Sequence, residues 1–136
     1  TDWLARMNDA LAAAENRAFD WNSWDCIHFT ADVVLAMTDV DILDGWRGEY
    51  ATEAEAWALL AARDGSFRAA LKRVVGAGAV HVSKARRGDI VLLRGGKSVG
   101  VAVGRGRAAF VSDDGAGLVY RQMSDCGFAF PIGWPE

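Results

Sequence analysis

The chain has 136 residues, of which 51% are hydrophobic and 24% are charged, and its formal net charge is −3. This length suits a single domain, 1–136, which buries roughly two-thirds of its unfolded surface and needs no metal or disulfide to build a core. Without a dense block of Lys and Arg, nucleic acid is not expected as a partner. No apolar run approaches the ~20 residues of a membrane span, and no signal peptide is visible at the N-terminus. We therefore expect folding in a reducing cytoplasm and no membrane insertion.

The chain contains two cysteines, Cys26 and Cys126, and two histidines, His28 and His81. Their spacing matches no metal-ligand pattern, so neither a metal site nor a cofactor is predicted. A disulfide is not expected in a reducing compartment, and we interpret Cys126 as a buried free thiol. For Cys26 two interpretations stay open. It is either a small buried residue at the start of a core helix or a nucleophile position.

The first half of the chain has helical periodicity. Helices are predicted over residues 2–16, about 26–37, 52–63 and 67–75. Asp25 or Ser23 is the expected N-cap of the second helix, and residues 52–55 (Thr-Glu-Ala-Glu) form a capping box for the third. The Trp-rich segment 21–24 has two open interpretations, since it would line a ligand groove or present an interface.

After Gly88 the apolar runs become short and Gly-rich turns separate them. Strands are predicted at residues 89–93, 99–103, 108–111, 118–120 and 128–132. The short gaps indicate antiparallel hairpins, because parallel strands need longer crossovers. Pro131 would suit the edge of the last strand. The predicted fold class is α+β, with N-terminal helices packed on a C-terminal antiparallel β-meander.

Three motifs carry a resemblance to a known family. Residues 24–29 (Trp-Asp-Cys-Ile-His-Phe) resemble the Asp-Cys-x-x-Phe nucleophile motif of the NlpC-like cell-wall peptidases. Residues 87–91 resemble the Gly-Asp strand of that family, and residues 98–104 resemble its His-Val-Gly-Ile-x-x-Gly strand. The motifs follow the order of the family. The resemblance implies a papain-like, NlpC-type fold whose nucleophile helix starts near Cys26.

The resemblance also implies roles for single residues. In such peptidases a thiolate at a helix N-terminus attacks the peptide carbonyl, a His removes the thiol proton, and a third polar residue orients that His. Cys26 matches the nucleophile position. Ser98 falls at the position of the family His, and Ser112 lies near the third position. Serine is no base near neutral pH, so the general base is missing from its expected place.

Other residues are weaker candidates for that base. His28 follows Cys26 by two residues on one helix and should point to a different side. His81 precedes the Gly-Asp strand in a segment of no predicted structure, and it is a substitute base if that segment folds over the site. Asp25, Asp113 and Asp114 are too acidic to be good bases for a thiol unless they are buried.

A second resemblance covers nearly the whole chain. The Trp-x-x-x-Asp-Cys pattern at 21–26, the segments 52–55 and 85–91, and the Ile-Gly-Trp ending at 132–134 resemble small tail proteins of long-tailed phages and gene transfer agents. Those proteins are encoded among tail-tip genes. The resemblance implies a domain of the virion, attached near the hub or baseplate at the tail tip and assembled in the bacterial host cytoplasm. Its partners would be tail hub or distal tail proteins.

The leading hypothesis from sequence is a structural or assembly protein of the tail tip on a catalytically degenerate peptidase scaffold, because Ser98 replaces the family His. The alternative is an active cysteine endopeptidase or amidase that cleaves peptidoglycan stem peptides during phage entry. That alternative requires a base from His81 or an unusual Cys–Ser arrangement. A third class is a stand-alone bacterial ligand-binding or immunity-type module. Tail genes on either side of the coding sequence would favour the first two.

Overall fold

The computed structural model describes residues 2–18, 25–76, 78–95, 98–112 and 117–132. The helices are α1 (Trp3–Ala14), α2 (Cys26–Thr38), α3 (Glu53–Arg63) and α4 (Phe67–Val75). The strands are β1 (Ile90–Leu93), β2 (Val99–Gly104), β3 (Arg107–Val111), β4 (Leu118–Gln122) and β5 (Cys126–Phe130). The predicted α+β class is confirmed. Within the described ranges, no helix has the length and hydrophobicity needed to cross a membrane.

Side-chain caps define where the helices begin. The Asp25 carboxylate accepts a hydrogen bond from the His28 amide at 2.8 Å and thereby starts α2. The Thr52 hydroxyl accepts from the Glu55 amide at 3.2 Å, while the Glu55 carboxylate accepts from the Ala51 amide at 2.8 Å. The predicted capping box therefore forms. In the usual pattern Glu55 would accept from the amide of the N-cap residue, Thr52, whereas here it accepts from the amide one residue earlier.

The helix α4 has a cap that the sequence analysis did not identify. The Ser66 hydroxyl accepts from the Ala69 amide at 3.1 Å. At the other end, Gly76 adopts a left-handed conformation with φ 79°, which only glycine reaches at low cost. These two local signals confine α4 to nine residues.

The five strands form one antiparallel sheet in the order β4-β3-β2-β1-β5. Strands β1 to β4 are joined as successive hairpins, as predicted, and β5 returns to pair with β1. The last strand differs from its predicted bounds of 128–132. It begins at Cys126, because Cys126 pairs with Leu93 across a β-bulge, and it ends before Pro131. Part of its outer edge is covered by Val80, which exchanges backbone hydrogen bonds with Ala129.

Different elements of the chain pack on the two faces of the sheet. On one face, Phe29 and Val33 of α2 pack against Val101, and α1 packs on α2 from outside. On the other face, the segment around residues 80–85 packs against a cluster that includes Val91 and Phe110. Helix α2 is therefore the central helix, and its first residue lies beside the start of β2.

Several features singled out in the sequence lie outside the described residues. They are Ser23, the Trp-rich segment 21–24, Asp113, Asp114 and the last residues of the Ile-Gly-Trp ending.

We predict that Gly100→Ala destabilises the domain by about 2 kcal/mol, because overpacking a tight contact costs on this scale. A Cβ atom at Gly100 would lie 2.7 Å from the Phe110 ring and closer still to the Ala109 carbonyl oxygen. Urea unfolding followed by circular dichroism measures the loss. Gly78→Ala is the matched control, since its Cβ would meet no atom within 4 Å. Equal effects of both substitutions would contradict the prediction.

Candidate functional site

The site is centred on Cys26, the first residue of α2. Its side chain belongs to a core cluster with Ala31 and Val99 and is only 8% exposed. The Val99 backbone and the Ser98 side chain lie near the Cys26 sulfur, where both act to lower the pKa of the thiol. The structure therefore brings the start of α2 and the start of β2 together, as the order of the motifs implies.

The electrostatic environment of Cys26 favours the protonated thiol. Burial raises the pKa of Cys26 to about 11, and the neighbouring Asp25 charge adds to the increase. The hydrogen bonds from Val99 and Ser98 lower the pKa of Cys26, but they do not offset the burial. A cysteine at a helix N-terminus is usually more acidic than a free one. Here desolvation outweighs that effect, so little thiolate exists at neutral pH.

Ser112 lies next to Ser98 in the sheet. The register of β2 and β3 pairs Val101 with Ala109 and Ala102 with Ala108. Continued by three residues, that register sets Ser98 opposite Ser112. Both serines line one cleft of about 200 Å³, together with Arg121. The positions that the resemblance assigns to the base and its orienting residue are thus adjacent, but both carry hydroxyl groups.

His28 belongs to a buried polar cluster beside Cys26. Its ring Nδ1 lies 2.9 Å from the Asp25 carboxylate and 3.3 Å from the Tyr50 hydroxyl. The same carboxylate accepts a hydrogen bond from Tyr50 at 2.6 Å. Burial raises the pKa of Tyr50 far above its ordinary value, and its bond to Asp25 raises that pKa further, so the phenol stays protonated and donates. His28 is thus held by Asp25 and Tyr50.

Tyr50 is the residue of this site that sequence reasoning missed. It lies 25 positions from Asp25, and no spacing rule links a tyrosine to an N-cap at that distance. The one available signal was weak, since Tyr50 stands just before the capping box in a connection without periodicity. Only the packing of that connection against α2 brings the phenol to the carboxylate.

His81 lies in the segment that runs along the outer edge of β5. It precedes a short 3₁₀ turn, is exposed, and its Nδ1 accepts a hydrogen bond from the Ser83 amide at 3.1 Å. Its neighbours Val80 and Val82 pack on the sheet face opposite α2. The interpretation of His81 as a substitute base stays a prediction, and in this structure its ring is engaged by Ser83.

Cys126 and Cys26 are both free and buried. Burial raises the pKa of Cys126, which packs on the sheet face opposite the helices. In the part of the chain that the structure describes, no group of three or more His, Cys, Asp or Glu side chains could hold a metal ion.

Comparison with known proteins first defines the class of fold. The chain resembles the crystal structure of the NlpC/p60 domain of the peptidoglycan hydrolase SagA, with a TM-score of 0.58 and 20% sequence identity. The match covers 93% of this chain and 97% of the SagA chain. At this identity the likeness shows the fold alone, and it confirms the papain-like, NlpC-type architecture.

Comparison of the sequence with protein families then identifies the family. A family model described as a domain of unknown function, DUF6950, matches residues 1–132, and the chain belongs to that family. No curated protein matches the chain in sequence.

We predict that Cys26 alkylates slowly at neutral pH. In a Cys126→Ser variant, the rate with iodoacetamide should rise roughly tenfold per pH unit between about pH 7 and 10, because only the thiolate reacts and the pKa of Cys26 is about 11. Mass spectrometry of quenched samples measures the rate, with the urea-unfolded variant as control. A plateau near neutral pH would show an activated thiolate and contradict the prediction.

We also predict that Tyr50→Phe lowers the free energy of unfolding by about 2 kcal/mol, because it leaves a buried carboxylate without one of its donors. The lost bond is the 2.6 Å contact between Tyr50 and Asp25. Thermal and urea denaturation measure the change. Tyr120→Phe is the matched control, since its hydroxyl also donates to a carboxylate, that of Glu15, but at an exposed site. A loss no larger than that of the control would refute the structural role of Tyr50.

Proposed function

We propose that this domain is a structural and assembly component of a phage tail tip, in the baseplate or hub region, on an NlpC scaffold that no longer hydrolyses peptide bonds. The observation that carries the proposed loss of catalysis is that a serine, Ser98, stands near Cys26 at the position of the family His.

Peptide hydrolysis by the family mechanism needs a group that removes the thiol proton and returns it to the leaving amine. The Ser98 hydroxyl cannot hold that proton near neutral pH. His28 is bound by Asp25 and Tyr50, and the exposed His81 ring accepts a hydrogen bond from the Ser83 amide. Burial adds a steric obstacle, because a reacting carbonyl must approach the sulfur to roughly 3–3.5 Å and Cys26 is only 8% exposed.

The tail-tip role is supported by the whole-chain resemblance to small tail proteins of long-tailed phages and gene transfer agents. The SagA domain of the same fold belongs to a peptidoglycan hydrolase. A tail tip meets the cell wall, so an inherited wall-peptidase scaffold is a natural source for such a part. The proposed partners are tail hub and distal tail proteins, and the proposed location is the virion after assembly in the host cytoplasm.

A hydrolysis assay tests the catalytic half of this proposal. Wild type and Cys26→Ala are incubated with purified peptidoglycan stem peptides, and the products are identified by mass spectrometry. The SagA domain serves as the positive control for the assay. We expect no cleavage by either form of the present protein. Cleavage that depends on Cys26 would instead establish a cysteine endopeptidase or amidase, and its dependence on Ser98 could then be tested with Ser98→Ala.

Proteomics of purified tails tests the assembly half. We expect the chain to copurify with intact tails from the bacterium that encodes it, and Cys26→Ala to assemble equally well. Deletion of the coding sequence should yield tails that lack normal tips. If the protein is produced but absent from the particles, the tail-tip role is refuted whatever the result of the hydrolysis assay.

A further inference from the structure

A large groove lies between the start of α4, the end of β1 and the start of β5, and Cys26 does not line it. Its volume is about 580 Å³, within the range of roughly 300–1,000 Å³ that is usual for ligand sites. Its walls include Arg68 from α4, Arg94 from the end of β1, and Phe128 from the edge strand β5. Gly127 also lines the groove, so the strand backbone is not hidden there by a side chain.

The Arg68 guanidinium is held in a defined orientation. It lies over the Phe128 ring, with 4.0 Å from the guanidinium carbon to the ring centroid. A cation–π contact of this kind leaves those guanidinium N–H groups that do not face the ring available. Edge N–H groups in this geometry match the two oxygens of a carboxylate. The contact with Phe128 therefore restrains the Arg68 side chain and leaves N–H donors of its guanidinium for an anion.

Arg94 is a second oriented cation in the same groove. Its Nη2 donates a hydrogen bond to the Ser124 carbonyl at 2.8 Å, and the other donors of the guanidinium remain for a ligand. Among the described residues, neither Arg68 nor Arg94 forms an ion pair with a carboxylate. By contrast, four arginines elsewhere on the described surface do form such pairs: Arg6, Arg47, Arg63 and Arg73.

The composition of the groove indicates the chemistry of its ligand. The described residues that line it include two arginines, four large apolar side chains and no carboxylate, although the chain as a whole has a net charge of −3. Exclusion of acidic side chains from a cavity with two cations creates a local positive potential. The volume of the groove is well above that of one carboxylate. This favours a peptide segment with several side chains as the ligand.

We propose that this Arg68–Arg94 groove binds an acidic peptide segment of a partner protein. One carboxylate of the segment binds the edge of Arg68, another binds Arg94, and the apolar parts of the segment lie against the groove walls near Phe128. The proposal goes beyond the assembly role, because it names the chemistry of a partner and holds whether or not Cys26 is active.

Fluorescence anisotropy tests the proposal with the full chain and a fluorescein-labelled peptide of alternating Asp and Glu. The neutral peptide of alternating Asn and Gln is the matched probe. We expect the acidic peptide to bind at least about tenfold more tightly, with affinity that falls as salt is raised. Arg68→Gln and Arg94→Gln should each weaken binding about tenfold, since each removes a charge-assisted hydrogen bond. Arg68→Lys should give a smaller loss, because it keeps the charge without the planar edge.

Arg105→Gln is the control variant, because it removes the same charge from an exposed residue in the turn between β2 and β3, at the opposite end of the sheet. It should bind the acidic peptide as the wild type does, and so should Cys26→Ala. Thermal melts confirm that each variant is folded. The proposal is overturned if no probe binds, if Arg105→Gln weakens binding as much as the groove variants, or if the neutral peptide or an oligo-dT strand binds as tightly as the acidic peptide.

Discussion

The buried carboxylate of Asp25 is the constraint on which the site depends. It is fully shielded from solvent, and a buried charge without partners costs several kcal/mol. Three donors surround it, namely the His28 amide at 2.8 Å, the His28 ring at 2.9 Å and the Tyr50 hydroxyl at 2.6 Å. These bonds start α2, orient the His28 ring and anchor the connection that leads to α3. Because Cys26 is the next residue, its position follows directly.

Burial, with a smaller contribution from this carboxylate, explains why the Cys26 thiol stays protonated at the start of a helix. A helix N-terminus ordinarily stabilises a thiolate, yet the Asp25 charge and above all burial act against it at Cys26. The hydrogen bonds from Ser98 and Val99 reduce that opposition only in part. A base at position 98 would have to accept the proton of a thiol whose environment favours the neutral form. The serine at this position instead completes a neutral, hydrogen-bonded contact.

The hairpin of β1 and β2 connects the Cys26 site with the Arg68–Arg94 groove. Leu93 lines both the groove and the cleft that contains Ser98 and Ser112. One short hairpin therefore separates a polar cleft from a cationic one. Under the proposed function, both recesses would serve contacts with a partner protein.

The sequence by itself determined the local structure of this protein and the order of its motifs along the chain. Periodicity indicated four helices and an antiparallel meander, and Asp25 and residues 52–55 indicated helix starts. These features rest on hydrogen bonds between near neighbours or on the regular repeat of strands.

Only the tertiary structure decided which distant groups meet. It brought Tyr50 to Asp25 and packed Arg68 over Phe128, and it placed Val80 and Val82 on the sheet face opposite α2. It also decided the raised pKa of Cys26, because desolvation depends on every element that covers the thiol. No pattern along the chain encodes such contacts, since each depends on how whole helices and strands pack in three dimensions.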